Sequence, residues 1–184
     1  MSVLDFLSLD GAASEAVARS PMERRLREAG ATFEQQGRWV VATHVPGEED
    51  CALAVRDVTH AHRVHEGSDG VLVEFQPGEG RLPVSTGVVW SGDDRPPEVT
   101  TDVSAGYAAL QIEGPGATNV LRRMTEVELE GLPKVGAVAH IRTIVIRDDR
   151  DSYRLVFEQE YGHYLWEVAV DAAKSLGGCP KGTP

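Results

Sequence analysis

Cysteine is nearly absent from this sequence, basic side chains are in the minority, and no long apolar run occurs. Cys51 and Cys179 are the only cysteines in 184 residues. Two thiols so far apart in sequence suggest neither a disulfide framework nor a zinc site, and a reducing cytoplasm suits them. No apolar stretch approaches the roughly 18 residues needed to cross a bilayer. The opening Met1-Ser2-Val3-Leu4-Asp5-Phe6 lacks a basic segment, and acids interrupt its apolar stretch, so it does not read as a secretory signal. Basic side chains number 18 against 29 acidic ones, a formal net charge of −11. That field repels phosphate backbones and anionic lipid, which argues against nucleic acid and membrane surfaces as partners. Its plainest role is solubility.

What is present describes a folded α+β chain. Hydrophobic residues make up 41% and charged residues 26%, ordinary globular usage in a chain long enough to bury roughly 70% of its unfolded surface. Residues 1–19 read as an extension. Residues 20–184 read as one domain of two related lobes, about 20–97 and 98–184, divided at the proline-rich, charged break Ser91–Pro97. Ser20-Pro21-Met22-Glu23 has the form of a capping box, predicting a helix Pro21–Ala29 that stops at Gly30. Strands are predicted at Trp39–Thr43, Val58–Glu66, Val71–Phe75 and Val84–Trp90, with turns at Ser68–Gly70 and Gln76–Gly80. The second lobe reads strand Tyr107–Glu113, helix Ala117–Met124, strand Val138–Arg147, turn Asp148–Asp151, strand Tyr153–Phe157 and helix Tyr161–Leu176. In that last helix Tyr161, Leu165, Val168, Ala172 and Leu176 form the apolar stripe. The order β-α-β-β-α suggests a ferredoxin-like split βαβ unit. Asp57-Val58-Thr59 and Asp102-Val103-Ser104 begin two similar strands and hint at an internal repeat.

The chemistry-bearing residues are few. The chain has no phosphate-binding loop, no dinucleotide fingerprint and no H-E-x-x-H. Asp102 replaces the first glycine that a nucleophile elbow around Ser104 would need. His60-x-His62-x-x-His65 places His60 and His62 on one face of a strand and His65 on the other, which does not make a convergent metal site. His140 and Arg142 share a polar strand face that suits an anion. Tyr161, His163, Tyr164 and Trp166 cluster at a helix start, where aromatics with polar tips can sandwich a flat heterocycle, although the Tyr161/Leu165 spacing is also that of plain core packing. These six residues are the ligand-binding candidates. No catalytic residue and no metal ligand is assigned.

The motifs, taken in order, resemble one superfamily. Gly30-Ala31-Thr32-Phe33 with Gly37-Arg38-Trp39, then Asp57-Val58-Thr59-His60, then Asp102-Val103-Ser104 with Leu110-x-Ile112-x-Gly114-Pro115-x-Ala117, are similar to segments of the glycine cleavage system T-protein (aminomethyltransferase) and its folate-binding relatives. The stretch from Phe157 through Tyr161, Tyr164 and Trp166 to Gly177 is closest to the sarcosine oxidase gamma subunit. The resemblance covers roughly residues 20–182. It implies the N-terminal part of the T-protein fold, tetrahydrofolate as the one expected cofactor, and an accessory subunit that joins a larger partner or oligomer in the one-carbon metabolism of N-methyl amines. Its alternative is a folate-dependent aminomethyltransferase or methyltransferase, alone or as half of a split enzyme; a third reading is a small-ligand binding module without folate. The T-protein's glycine turn and acidic pair are not matched by Ile146–Ser152, so the resemblance transfers no catalytic role to Asp148 or Asp149, and it leaves open whether the chain is an enzyme. The segment that contacts folate later in the full-length family is expected from another chain.

Overall fold

The computed structural model describes residues 17–67, 70–75, 89–90 and 101–183. In chain order the strands are β1 (Ala18–Arg19), β2 (Thr32–Gln36), β3 (Trp39–His44), β4 (Ala54–Asp57), β5 (His62–Gly67), β6 (Gly70–Phe75), β7 (Val89–Trp90), β8 (Thr101–Asp102), β9 (Tyr107–Glu113), β10 (Lys134–Val138), β11 (Ile141–Asp149), β12 (Ser152–Glu158) and β13 (Cys179–Lys181). The helices are α1 (Glu23–Glu28), α2 (Ala117–Met124) and α3 (Gly162–Lys174). The protein is α+β with sheet predominating. A six-stranded sheet ordered β10-β11-β12-β9-β4-β13 lies at the centre, beside a four-stranded sheet β7-β6-β5-β8 and a three-stranded sheet β1-β3-β2.

The six-stranded sheet is covered on both faces, so its strands lose the apolar–polar alternation of a half-exposed sheet. One face carries Val55, Leu110, Ile112, Val145, Tyr153, Leu155 and Phe157 against Leu26, Val120, Leu121, Leu165, Trp166 and Ala169 from the three helices. The other face sets Ala109, Ile144, Ile146 and Val156 against Val58, Val64, Val71 and Val73. Burying each large apolar side chain contributes about 1.5–3 kcal/mol. On α3 the buried stripe is Gly162, Leu165, Trp166, Ala169, Val170 and Ala173. It is rotated from the expected stripe, with Tyr161, Val168 and Ala172 at its margin and Leu176 37% exposed. Gly162 opens the helix, and glycine is required at that position because a Cβ there would lie 2.6 Å from the Pro21 ring.

The two Asp-Val-Thr/Ser segments share one geometry. Val58 (φ −118°, ψ 23°) and Val103 (φ −117°, ψ 16°) each lead into a single 3-10 turn, Thr59–Ala61 or Ser104–Gly106, and then a strand. The Asp57 carboxylate accepts the Thr59 N–H at 3.0 Å and that of Asp102 accepts the Ser104 N–H at 2.9 Å. Each hydroxyl then reaches across to the other strand. Thr59 donates to the Ala109 carbonyl and accepts its N–H, while Ser104 accepts the Val64 N–H at 2.9 Å and donates to the Asp102 carboxylate at 2.6 Å. One sequence offset carries Asp57 to Asp102, Thr59 to Ser104 and Val64 to Ala109, so the crossing is a local pseudo-two-fold. It hands β4 to the sheet of β9, and β8 to the sheet of β5.

Several expectations are corrected. The strand expected over Val138–Arg147 is two strands, split by a tight turn in which Ala139 (φ 48°) and His140 (φ 69°) both adopt left-handed backbone. Ala139 and Ile141 therefore do not share one strand face. The extra reversal makes β10-β11-β12 a meander and leaves β9 antiparallel to β10 with two strands between them. β11, which carries most of the expected strand, lies parallel to β9 with β12 between them, the placement a split βαβ unit requires, while β13 after α3 pairs with β4 and not with β9. His60 lies in the 3-10 turn and β5 begins only at His62, so the two histidines do not share a strand face. Ser20 caps the Met22 N–H at 3.1 Å, but Glu23 turns to Arg19 and Arg27 instead of closing a capping box. The end of the expected extension, Ala18–Arg19, pairs with Trp39–Val40.

Cys51 and Cys179 form a disulfide, contrary to the expectation of two separate thiols. Their sequence separation of 128 concealed a Cα–Cα distance of 6.0 Å, because β13 returns to pair in parallel with β4. The expected break at Ser91–Pro97, the Gln76–Gly80 turn, Ser68-Asp69 and all of the Val84–Trp90 strand except Val89–Trp90 lie outside the described residues.

Candidate functional site

The six sequence candidates occupy separate places. Trp166 is 4% exposed within the helix-side core. Tyr161 is half-buried and packs against that core at the entry to α3. The adjacent Glu160 carboxylate pushes its phenol pKa up through a hydrogen bond and its charge. His163 and Tyr164 are exposed on the first turn of α3, Tyr164 at 43%. His140 sits exposed in the β10–β11 turn. Arg142, exposed near the start of β11, lies close enough to Tyr107 to favour its ionised form, although burial and the charges of Glu66 and Glu158 hold that phenol pKa up.

A buried polar seam that sequence reasoning missed lies on the six-stranded sheet's face toward the four-stranded one. Arg154 on β12 and Asp148 on β11 pair at 2.6 Å with side chains 8% and 7% exposed. Gln111 on β9 donates to Asp148 at 3.3 Å and to the Ser152 hydroxyl at 3.0 Å. Nearby, Arg56 donates to Glu113 at 2.9 Å. Burial raises the Asp148 pKa, and Arg154 and Gln111 pull it back. The sequence carries a signal for it: Ile144, Ile146 and Asp148 alternate along β11, which runs two residues into the expected turn Asp148–Asp151. Close by is His62, 6% exposed, whose ring nitrogens make no well-formed hydrogen bond to any described residue, although the Val58 and Thr59 carbonyls lie near. Burial lowers its pKa to about 4, and His60 is lowered for the same reason with Arg154 adding repulsion. A histidine that stays neutral down to that pH is a weak base, and Asp148 is occupied by its ion pair, so neither is poised for proton transfer at neutral pH. Among the described residues no group of three or more His, Cys, Asp and Glu could hold a metal.

A shallow open groove of about 470 Å³ runs along α1, lined by Arg19, Pro21, Glu23, Arg24, Arg27 and His163 among others. Its charges are largely paired: Glu23 with Arg19 and Arg27, Glu28 with Arg24 and Arg25, and Glu167 with Arg25. Tetrahydrofolate carries a flat pteridine, which needs a slot with aromatic or apolar walls. The groove is open and its lining includes no Phe, Tyr or Trp to stack on such a ring, Trp166 is turned into the core, and His140 and Arg142 stand on a different element. The described residues of this chain alone do not form a cradle that fits the cofactor.

The fold belongs to a known architectural class, the α+β arrangement of the aminomethyltransferase T-protein. Glycine cleavage system aminomethyltransferase T from Bartonella henselae matches with a TM-score of 0.54 at 10% identity, over 91% of this chain and 60% of that one. A chain of the heterotetrameric sarcosine oxidase from Corynebacterium sp. U-96, solved with pyrrole 2-carboxylate, matches with a TM-score of 0.54 at 15% identity, over 87% of this chain and 96% of that one. In sequence, the aminomethyltransferase of Geobacillus thermodenitrificans is 33% identical over 89 residues, 44% of this chain and 24% of that protein. The aminomethyltransferase of Porphyromonas gingivalis is 27% identical over 92 residues, 46% of this chain and 25% of that protein. These matches span about a quarter of the curated relatives' length. No family model matches the sequence. The resemblance to the folate-binding T-protein superfamily is thus met in both sequence and fold.

Proposed function

We propose that this protein is an accessory subunit, similar to the sarcosine oxidase gamma subunit, in folate-linked one-carbon metabolism of N-methyl amines. The observation that carries the proposal is the extent of one match. Nearly all of a chain from a heterotetrameric enzyme, 96%, is covered by this one. In this reading residues 20–184 form a two-lobed domain related to the N-terminal part of the T-protein, and the complex works in the cytoplasm. Tetrahydrofolate binds where a larger partner completes the cavity. Exposed His163 and Tyr164, with His140 and Arg142, are the proposed partner or ligand contacts, and Tyr161 and Trp166 support them from beneath. Neither nucleic acid nor membrane has a part in this reading. The net charge of −11 disfavours both, and among the described residues no helix is long and apolar enough to cross a membrane.

The test is purification of the tagged protein from its native cell without high salt, followed by native mass spectrometry. A stoichiometric complex with a larger chain is the expected result; a lone monomer at cellular concentration overturns the proposal. The 33% match to an aminomethyltransferase favours a second reading, a folate-dependent transferase. Turnover of N-methyl amines by the purified chain with tetrahydrofolate, lost in Asp148→Ala, would establish that second reading. No turnover is expected, because Asp148 is held in its ion pair.

A further inference from the structure

The C-terminal strand is a strap across the edge of the central sheet. β13 is three residues long and pairs in parallel with β4. The Cys179 N–H donates to the Leu53 carbonyl at 3.1 Å, and beyond the strand the Thr183 N–H donates to the Ala42 carbonyl on β3 at 2.7 Å. The Gly182 N–H donates to Glu48 at 2.6 Å, and the Arg56 guanidinium donates to the Gly182 carbonyl. The strap therefore ties the central sheet to the three-stranded one. It is seated closely, since a Cβ on Gly182 would lie 2.2 Å from the Thr43 backbone. Its hinge is the turn out of α3, where Gly177 takes a φ of 80° that few other residues adopt.

One covalent bond holds this strap beyond its hydrogen bonds. Cys179 opens β13 and is joined to Cys51, which lies just ahead of β4. Both cysteines are only partly buried, so a small dithiol can reach the bond. A three-residue edge strand is a low-stability unit, the kind that opens locally while the core stays closed. We infer that the Cys51–Cys179 disulfide is a redox-sensitive latch, whose reduction lets the C-terminal strap open about Gly177 while the two cores stay folded. The reductant is a dithiol. Its thiolate attacks one cysteine sulfur and forms a mixed disulfide, releasing the other cysteine as thiolate. The second thiol of the reductant then displaces the first cysteine. Two electrons and two protons pass to the protein, which gains two thiols as the reductant becomes a cyclic disulfide. The outer edge of β4, together with Glu48 and Arg56, is what the opened strap uncovers.

Hydrogen exchange on the full-length chain, with and without dithiothreitol at matched pH, tests the inference, and intact mass under non-reducing conditions reports the bond. The expected result is a disulfide that dithiothreitol cleaves in the native protein. Exchange at Lys181, Gly182 and Thr183 should then rise about tenfold or more while α3 and β12 keep their protection. Cys51→Ser/Cys179→Ser should reproduce the reduced pattern. Three results overturn it: a bond that resists excess dithiothreitol until the protein is denatured, strap amides that exchange equally in both states, or loss of protection throughout the chain on reduction, which would make the bond a global staple.

Discussion

Burial decides what the polar residues of the seam can do. His62 has a folded-state pKa of about 4 against an ordinary 6.5. Its proton therefore binds the unfolded chain more readily. The stability contributed by neutral His62 is complete above about pH 6.5 and is lost as the pH falls through about 4, amounting to up to about 3 kcal/mol. Asp57 and Asp148 have pKa values raised by burial, and they act in the opposite direction, losing stability as pH rises through their folded values. The difference between wild type and His62→Gln isolates the histidine: urea midpoints at pH 7, 6 and 5 should fall more steeply for wild type. Equal slopes would show that His62 is not held neutral. The Arg154–Asp148 pair makes a second prediction. Asp148→Ala removes the carboxylate that balances a buried guanidinium and should cost about 3–5 kcal/mol in a denaturation experiment, whereas Asp148→Ala with Arg154→Met should recover much of it. Neither residue's partner was legible in the sequence, because side-chain pairing across strands depends on register, which a single chain does not display.

At the scale of elements, legibility followed periodicity. Tyr107–Glu113 and Ala117–Met124 have the bounds that their apolar patterns predicted, since the Gly114-Pro115-Gly116 turn ends the one and begins the other. The split of Val138–Arg147 was hidden because Ala139 and His140 carry no turn signature, yet both sit at positive φ in a two-residue hairpin. Such turns favour Asn-Gly. Ala139→Asn/His140→Gly should therefore raise stability by about 1 kcal/mol, seen as a higher Tm; an unchanged or lower Tm would mean that the native side chains, and not the backbone, hold this turn. The 3-10 turns after Asp57 and Asp102 hid in the same way, inside what read as continuous strands. Ser104→Ala removes the hydroxyl that accepts the Val64 N–H and donates to Asp102, and should cost about 1–3 kcal/mol.

For the whole molecule, the sequence conveyed the class but not the closure. The α+β character and the superfamily resemblance could be read from motif order, while the disulfide joining residues 128 apart could not. A bond that latches only the strap leaves the cores their own stability, so the reduced protein and the double serine variant should both keep a cooperative melt close to that of the oxidised chain. If the accessory-subunit proposal holds, the charge of −11 favours a partner face rich in Lys and Arg, and association should slow markedly between low and physiological salt.

The pseudo-two-fold crossing has a thermodynamic consequence for the chain as a whole. Thr59 fastens to β9 and Ser104 fastens to β5, so each of the two larger sheets contains the anchor of the other. Neither sheet can melt and leave its neighbour's strand start intact. Calorimetry should accordingly find a single endotherm, with the enthalpy measured directly equal to that inferred from the sharpness of the transition. Two resolved endotherms would mean that the reciprocal anchors are too weak to bind the halves into one cooperative unit.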